Sequence, residues 1–430
     1  MPGLTERLYD RLSADADQEW DDGVPDETRQ AAPANAARLV GSLTLLKAGD
    51  RIIDPKTTLT WLLASVGSPA WMVALLVPIR ESGSLLPQAF VAPWVQRFRR
   101  RKRVWVIGAV GQATAIATIA LCGATLSGVV AGVGILAALA VFALMRSLSS
   151  ISVKDVLGKT LPEGRRGSVS GVAAGVAGVS AIAAGIGLGF IGSDTDASGL
   201  ALVVGVGALA WAGAAWVFSR VREHAAEPGE DGASGIGDAV ALLRDDHTFR
   251  RFVVARSLLL VTALSPPFII VLGSGSGAVT TAGLGPYVGA TGVAFLVGSP
   301  LWGRVADHSS RLVMTVAAGG GAAVIIVFLA MRQATGDRTW LAVGAYLLVS
   351  LAHAGARVGR STYVVDLASG DLRTRYVAVS NTVIGAVLLA TGLLGVVVGL
   401  VGPAWVLAIL ASAGVAGVAT VRTLPDVEGG

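Results

Sequence analysis

Cysteine is almost missing from this chain. The one thiol, Cys122, falls in an apolar stretch, so neither a disulfide framework nor a cysteine metal site is available. Histidine is nearly as scarce. His224, His247, His308 and His353 lie scattered over 430 residues and supply neither a metal-ligand cluster nor a nucleophile–base set. No cofactor and no metal are therefore expected, and an enzyme is disfavoured. Charge is thin as well: Asp, Glu, Lys and Arg make up 15% of the chain. A soluble protein of this length would form two or more domains, and these charges are too few to coat them. No GxxxxGK[ST] phosphate loop occurs, which argues against an ATP-driven machine. Residues 1–37 are polar and acidic, without a basic start or an apolar core, and read as a solvated tail rather than a signal peptide.

What the chain has in abundance is apolar length. Hydrophobic residues reach 53%, and 56 glycines suit close helix–helix approach in lipid. With about 20 apolar residues as the crossing length, twelve spans are expected, at 38–64, 71–95, 104–124, 128–152, 168–191, 199–219, 252–273, 284–303, 312–332, 339–362, 376–399 and 403–422. Basic residues alternate between the loops. Residues 97–103 read RFRRRKR, and Lys159, Arg165 and Arg166 follow the fourth span. Arg220, Arg222, Arg244, Arg250 and Arg251 lie in or beside the stretch 220–251. The loops at 64–70, 124–128, 191–199, 273–284 and 399–404 contain no Lys or Arg. The bias places both termini in the cytoplasm, and it explains a pI near 9.6 without nucleic acid. Arg outnumbers Lys 29 to 5, which suggests a bacterium of high genomic G+C and hence its inner membrane.

The two halves also repeat. At an offset of 211, Pro55 pairs with Pro266, Gln96 with Asp307, Arg100 with Arg311, Arg146 with Arg357 and Asp155 with Asp366. The expected fold is an all-α integral membrane protein of twelve helices in two pseudo-symmetric six-helix halves, 38–219 and 252–422. A connector at 220–251 joins them, and 423–430 forms a short cytoplasmic tail. Within the connector, residues 236–249 fit either an interfacial helix or a plain linker. Duplicated polytopic chains of this kind are how many secondary transporters are built.

At the second-to-third loop of each half the chain resembles the major facilitator superfamily. Gly303-Arg-Val-Ala-Asp307 followed by Arg311 carries the likeness in the second half, and Ala92, Gln96, Arg97 and Arg100 a degenerate copy in the first. The resemblance implies that the Asp and the Arg four residues later bracket a cytoplasmic gate. Gln96, Arg100, Asp155, Asp307, Arg311 and Asp366 are the candidates, with the duplicated Arg146 and Arg357 as gate or scaffold residues. Charge-assisted bonds among such groups can form when that side closes and break when it opens.

Function is expected in the first two spans. Lys47, Asp50, Arg51 and Asp54 fall within one ~100° arc of a continuous helix, and Arg80, Glu81, Ser84 and Gln88 within another. An ionised group at mid-bilayer costs about 2.5–3.5 kcal/mol on insertion scales, so these groups should face the bundle interior. A purely structural ion-pair cluster is the competing reading. The counterparts of Asp50, Arg51, Asp54, Arg80 and Glu81 are Val261, Thr262, Ser265, Thr291 and Gly292, so the architecture does not need the charges. Asp50, Glu81 and Asp54 are the expected proton-coupling acids. Arg51, Arg80, Gln88 and Lys47 are the expected substrate or ion-pair residues. Arg256 is expected at the interface, reaching for headgroups. The expected function is alternating-access movement of a small molecule, proton-coupled and monomeric, with export favoured because the walls are largely apolar. Uptake of a charged nutrient is the alternative, and a non-transporting receptor or assembly protein the third.

Overall fold

The computed structural model describes residues 25–426 apart from isolated positions and short stretches, the longest being 163–168, 184–196, 226–235 and 274–280. All regular structure among the described residues is helical. Nine helices there are long and apolar enough to cross a membrane. They correspond to expected spans three, four and six to twelve. The remaining three spans have separate reasons for falling outside that set. The fifth runs through residues only partly described. The first two carry the charges, and both depart from a plain apolar rod.

The first span is two helices, Ala32–Ile52 and Thr58–Ser65, with residues 53–57 non-helical between them. The cause is local. Pro55 has no N–H to donate and disfavours helical geometry at Asp54 before it. The Asp54 carboxylate then accepts from the Lys56 N–H at 2.8 Å, and Thr60 Oγ1 donates to the Pro55 carbonyl at 2.8 Å. The second span is helical over Ala70–Leu85, with Pro78 inside it, and Ser82 Oγ donates to the Pro78 carbonyl. In the second half the seventh span divides at residues 259–260, between helices His247–Leu258 and Val261–Gly273. Its matching Pro266 lies inside the second of these, so the repeat conserves the proline but not the place of the break.

Apolar packing differs at the two ends of the bundle. Toward the end carrying the base-free loops, one cluster draws on both halves, including Leu59, Leu62, Met72 and Leu76 with Leu264, Phe268, Tyr287 and Leu388. The Trp61 and Tyr287 rings meet there at 5.9 Å. Gly395 of the eleventh span lies so close to the second that a Cβ on it would stand 2.9 Å from the Trp71 carbonyl oxygen. Toward the end carrying the basic loops the clusters separate. Trp105, Phe218, Leu39 and Val156 form one within the first half, and Phe249, Phe252, Tyr363 and Tyr376 another within the second. Among the described residues, the halves are sealed by apolar contact at the base-free end and have separate cores at the basic end.

The connector begins with a clamp absent from the expected sites. Glu223, fully buried, accepts from the Arg101 and Lys102 backbone N–H groups, both at 2.9 Å, at the start of the third span. Lys159 Nζ lies 3.7 Å away, and Lys102 Nζ donates to the Val221 carbonyl at 2.7 Å. A carboxylate on the exposed N–H groups of a helix start matches both their donors and the helix dipole. Glu223→Gln removes that charge while keeping one acceptor. It is expected to lower unfolding stability by about 2 kcal/mol, the scale of a lost hydrogen bond to a charged group. Denaturant or thermal unfolding of the purified protein checks it, and an unchanged midpoint would remove the clamp from the account.

Candidate functional site

Asp50 sits near the end of the first helical segment, where the chain is about to unwind. Its carboxylate is shared. Arg80 of the second span donates to Oδ1 at 2.9 Å, and Arg146 of the fourth donates to Oδ1 at 2.6 Å and to Oδ2 at 2.8 Å. Arg80 also reaches its neighbour Glu81 at 3.2 Å, and its guanidinium stands 5.8 Å from the Phe142 ring. The Arg80 and Asp50 side chains are 10% and 15% exposed, so this pair faces the interior as the cost of lipid exposure demands. Glu81, at 36%, is the more accessible acid.

Glu81 lies within electrostatic reach of Lys56, Arg80, Arg146 and Arg360. Lys56 in turn lies within reach of Asp54, Glu81, Arg80 and Arg357. Asp54 and Lys56 stand on the unwound stretch and face a cavity of about 20 Å³, room for a single water. The second half closes it with Thr262, Thr291, Phe295, Ser350 and His353 among others. His353 Nδ1 and Thr262 Oγ1 are 3.2 Å apart, and Arg357 packs over the Phe295 ring at 4.7 Å.

Three placements differ from expectation. Asp54 is not on a helical stripe; the Pro55 break turns it toward Lys56 and the seam between the halves. Arg146 is not beside Asp155. Both lie on the unbroken helix Gly128–Thr160, about 13 Å apart along its axis, and Arg146 reaches inward to Asp50 instead. Arg256 is not at the interface. It is buried and donates to Ser380 Oγ at 2.6 Å and Asn381 Oδ1 at 2.8 Å in the eleventh span.

The other candidates are placed as follows. Gln88 donates to the Ser84 carbonyl at 2.7 Å within its own helix. Lys47 is half-buried on the first helical segment, three residues before Asp50. Asp155 pairs with Arg101 at 2.5 Å, and Arg311 with Asp426 at 3.0 Å, each inside one half. Arg100 is exposed at the cap of the third span. Gln96 and Asp307 lie outside the described residues, as do the side chains of Arg51 and Asp366.

Sequence reasoning missed Lys56, Arg360 and Glu223. The signal for Lys56 was the Asp-Pro pair before it, which marks a helix boundary and so a place where a charge can meet a cavity.

The family model described as Major Facilitator Superfamily matches residues 56–387. The chain belongs to that superfamily. No curated protein matches it. Among solved structures, a D-xylose–proton symporter superposes with a TM-score of 0.69 at 14% identity, over 92% of this chain and 99% of that one. A bacterial homologue of the iron transporter ferroportin in an inward-facing state gives 0.69 at 15%, over 91% and 98%. The inward-open xylose transporter XylE of E. coli gives 0.66 at 13%, over 91% and 97%. At these identities the likeness is one of fold, and it extends over nearly all of each superfamily neighbour.

Proposed function

We propose that this superfamily member is a proton-coupled secondary transporter of a small molecule, a monomer with no catalytic chemistry of its own. The single observation behind the reading is the sharing of Asp50 between Arg80 and Arg146 at the end of a broken helix, inside a bundle whose second half has no acid at the matching position. Protonation of Asp50 or Glu81 cancels the charge that holds these guanidinium groups, so it can change how spans one, two and four pack. The rocking units are residues 38–219 and 252–422, with 1–37, 220–251 and 423–430 as tails and connector. Asp307, Arg311, Asp366, Gln96, Arg100 and Asp155 remain the proposed gate at the basic end.

Loop charge supports cytoplasmic termini in a bacterial inner membrane, which makes the parted end cytoplasmic. Cysteine substituted at Gly67, Thr195 or Ala278 in a Cys122→Ser background is expected to react with impermeant reagent from outside. Protection of any one of the three refutes the topology. For transport itself, inside-out vesicles carrying the protein should accumulate or release solute when a pH gradient is imposed. A solute panel that moves identically with and without the gradient removes the coupling.

A further inference from the structure

Charge is unevenly divided between the two halves. The six spans of the second half contain no Asp or Glu at all, yet they carry Arg256, Arg357 and Arg360 well inside their ends. Arg256 is held by the neutral Ser380 and Asn381. Arg357 is the repeat counterpart of Arg146, but the carboxylate on which Arg146 rests has become Val261. Around the unwound stretch of the first span, Lys56, Arg80, Arg146, Arg357 and Arg360 lie within electrostatic reach of one another or of the acids Asp50, Asp54 and Glu81. Five bases against three acids leave two positive charges at the seam of the halves. A buried surplus of this size is costly unless something negative arrives to meet it.

We propose that the site takes an organic anion, a carboxylate or phosphate ester of one or two negative charges, held between Lys56 of the first half and Arg357 and Arg360 of the second. The inference rests on the transporter reading above. Phe295 and Ser350 beside these bases suit a body that is part apolar and part hydrogen-bonding. The anion and Glu81 then compete for the same bases, Lys56, Arg80, Arg146 and Arg360, as the anion and Asp50 compete for Arg80 and Arg146. A proton that settles on either carboxylate frees a base for the anion. Proton and anion therefore bind together and travel the same way, which turns the direction from the export expected of apolar walls to uptake down an inward proton gradient.

The test reads the charge preference of the cavity directly. In a Cys122→Ser, Ser350→Cys protein, the anionic 2-sulfonatoethyl methanethiosulfonate is expected to react faster than the cationic 2-trimethylammonioethyl reagent. The advantage should be about tenfold or more beyond their ratio on free cysteine, the scale of field focusing in a charged cleft. It should fall in Lys56→Gln and Arg357→Gln and rise in Glu81→Gln and at lower pH. Equal rates or a cation preference in the otherwise native charge background overturn the proposal, so it stays decidable even if a charge variant fails to fold. Anion preference in a protein that moves no solute would instead refute the transporter reading and leave the anion site standing. Proton-driven accumulation of a neutral or cationic solute would do the reverse.

Discussion

Asp50→Asn is expected to abolish proton-driven accumulation while leaving most of the protein folded and inserted. The amide keeps the shape and one acceptor oxygen, so Arg80 or Arg146 retains a partner, but it cannot take up or release a proton. Two guanidinium groups now meet a neutral side chain, and breaking a buried pair by removing one partner costs about 3–5 kcal/mol where nothing relaxes. Arg146 is 30% exposed and Arg80 also holds Glu81, so the loss should be well below that range. Flux under an imposed pH gradient, measured beside the thermal midpoint, separates coupling from folding. Val261 in the matching place shows that the architecture does not demand an acid there. A folded Asp50→Asn protein that still concentrates solute with normal pH dependence would move the coupling to Glu81 or Asp54.

Gly108→Leu should have the largest effect on stability. Gly108 lies where the third and fourth spans touch, and a Cβ there would stand 2.4 Å from Ser149 Oγ and 2.7 Å from the Met145 carbonyl oxygen. A hydroxyl can rotate, but a helix carbonyl cannot retreat without moving the helix. The same contact orders Gln112, whose Nε2 donates to Ser149 Oγ at 3.0 Å and whose Oε1 accepts from Trp211 at 3.3 Å. Overpacking usually costs about 1–3 kcal/mol and can exceed it where backbone blocks relaxation, so loss of folded yield is expected. Gly205→Ala is the control: its Cβ would meet only Ala120, at 3.9 Å. Equal thermal midpoints for the two variants would contradict this packing.

The architecture and half of the central site could be read from sequence, for a physical reason. Charge inside apolar spans is rare and expensive, so Asp50, Arg80 and Glu81 announced themselves by residue type and spacing alone. The rest depended on where the helix stops. Wheel arithmetic assumes an unbroken rod, so it placed Asp54 on a stripe and gave no place to Lys56, which Pro55 carries into the seam. Arg146 was obscured by its own duplication. A residue repeated at 211 suggests a symmetric duty such as gating, whereas its partner Asp50 exists in only one half. Glu223 read as one more charge in a polar connector, because nothing local shows that two backbone N–H groups from residues 101 and 102 will close on it.

The unequal cores of the two ends carry a thermodynamic consequence. Closing the basic end requires the shared cluster of Leu62, Phe268 and Tyr287 to part, while most polar contacts stay inside their own halves. The two conformers therefore differ mainly in wetted apolar surface, and their interconversion should carry a heat-capacity change. Apolar association weakens on cooling, so chilling should raise the share of molecules whose base-free end is open. The resting orientation of this protein is in that sense set by temperature before any solute binds.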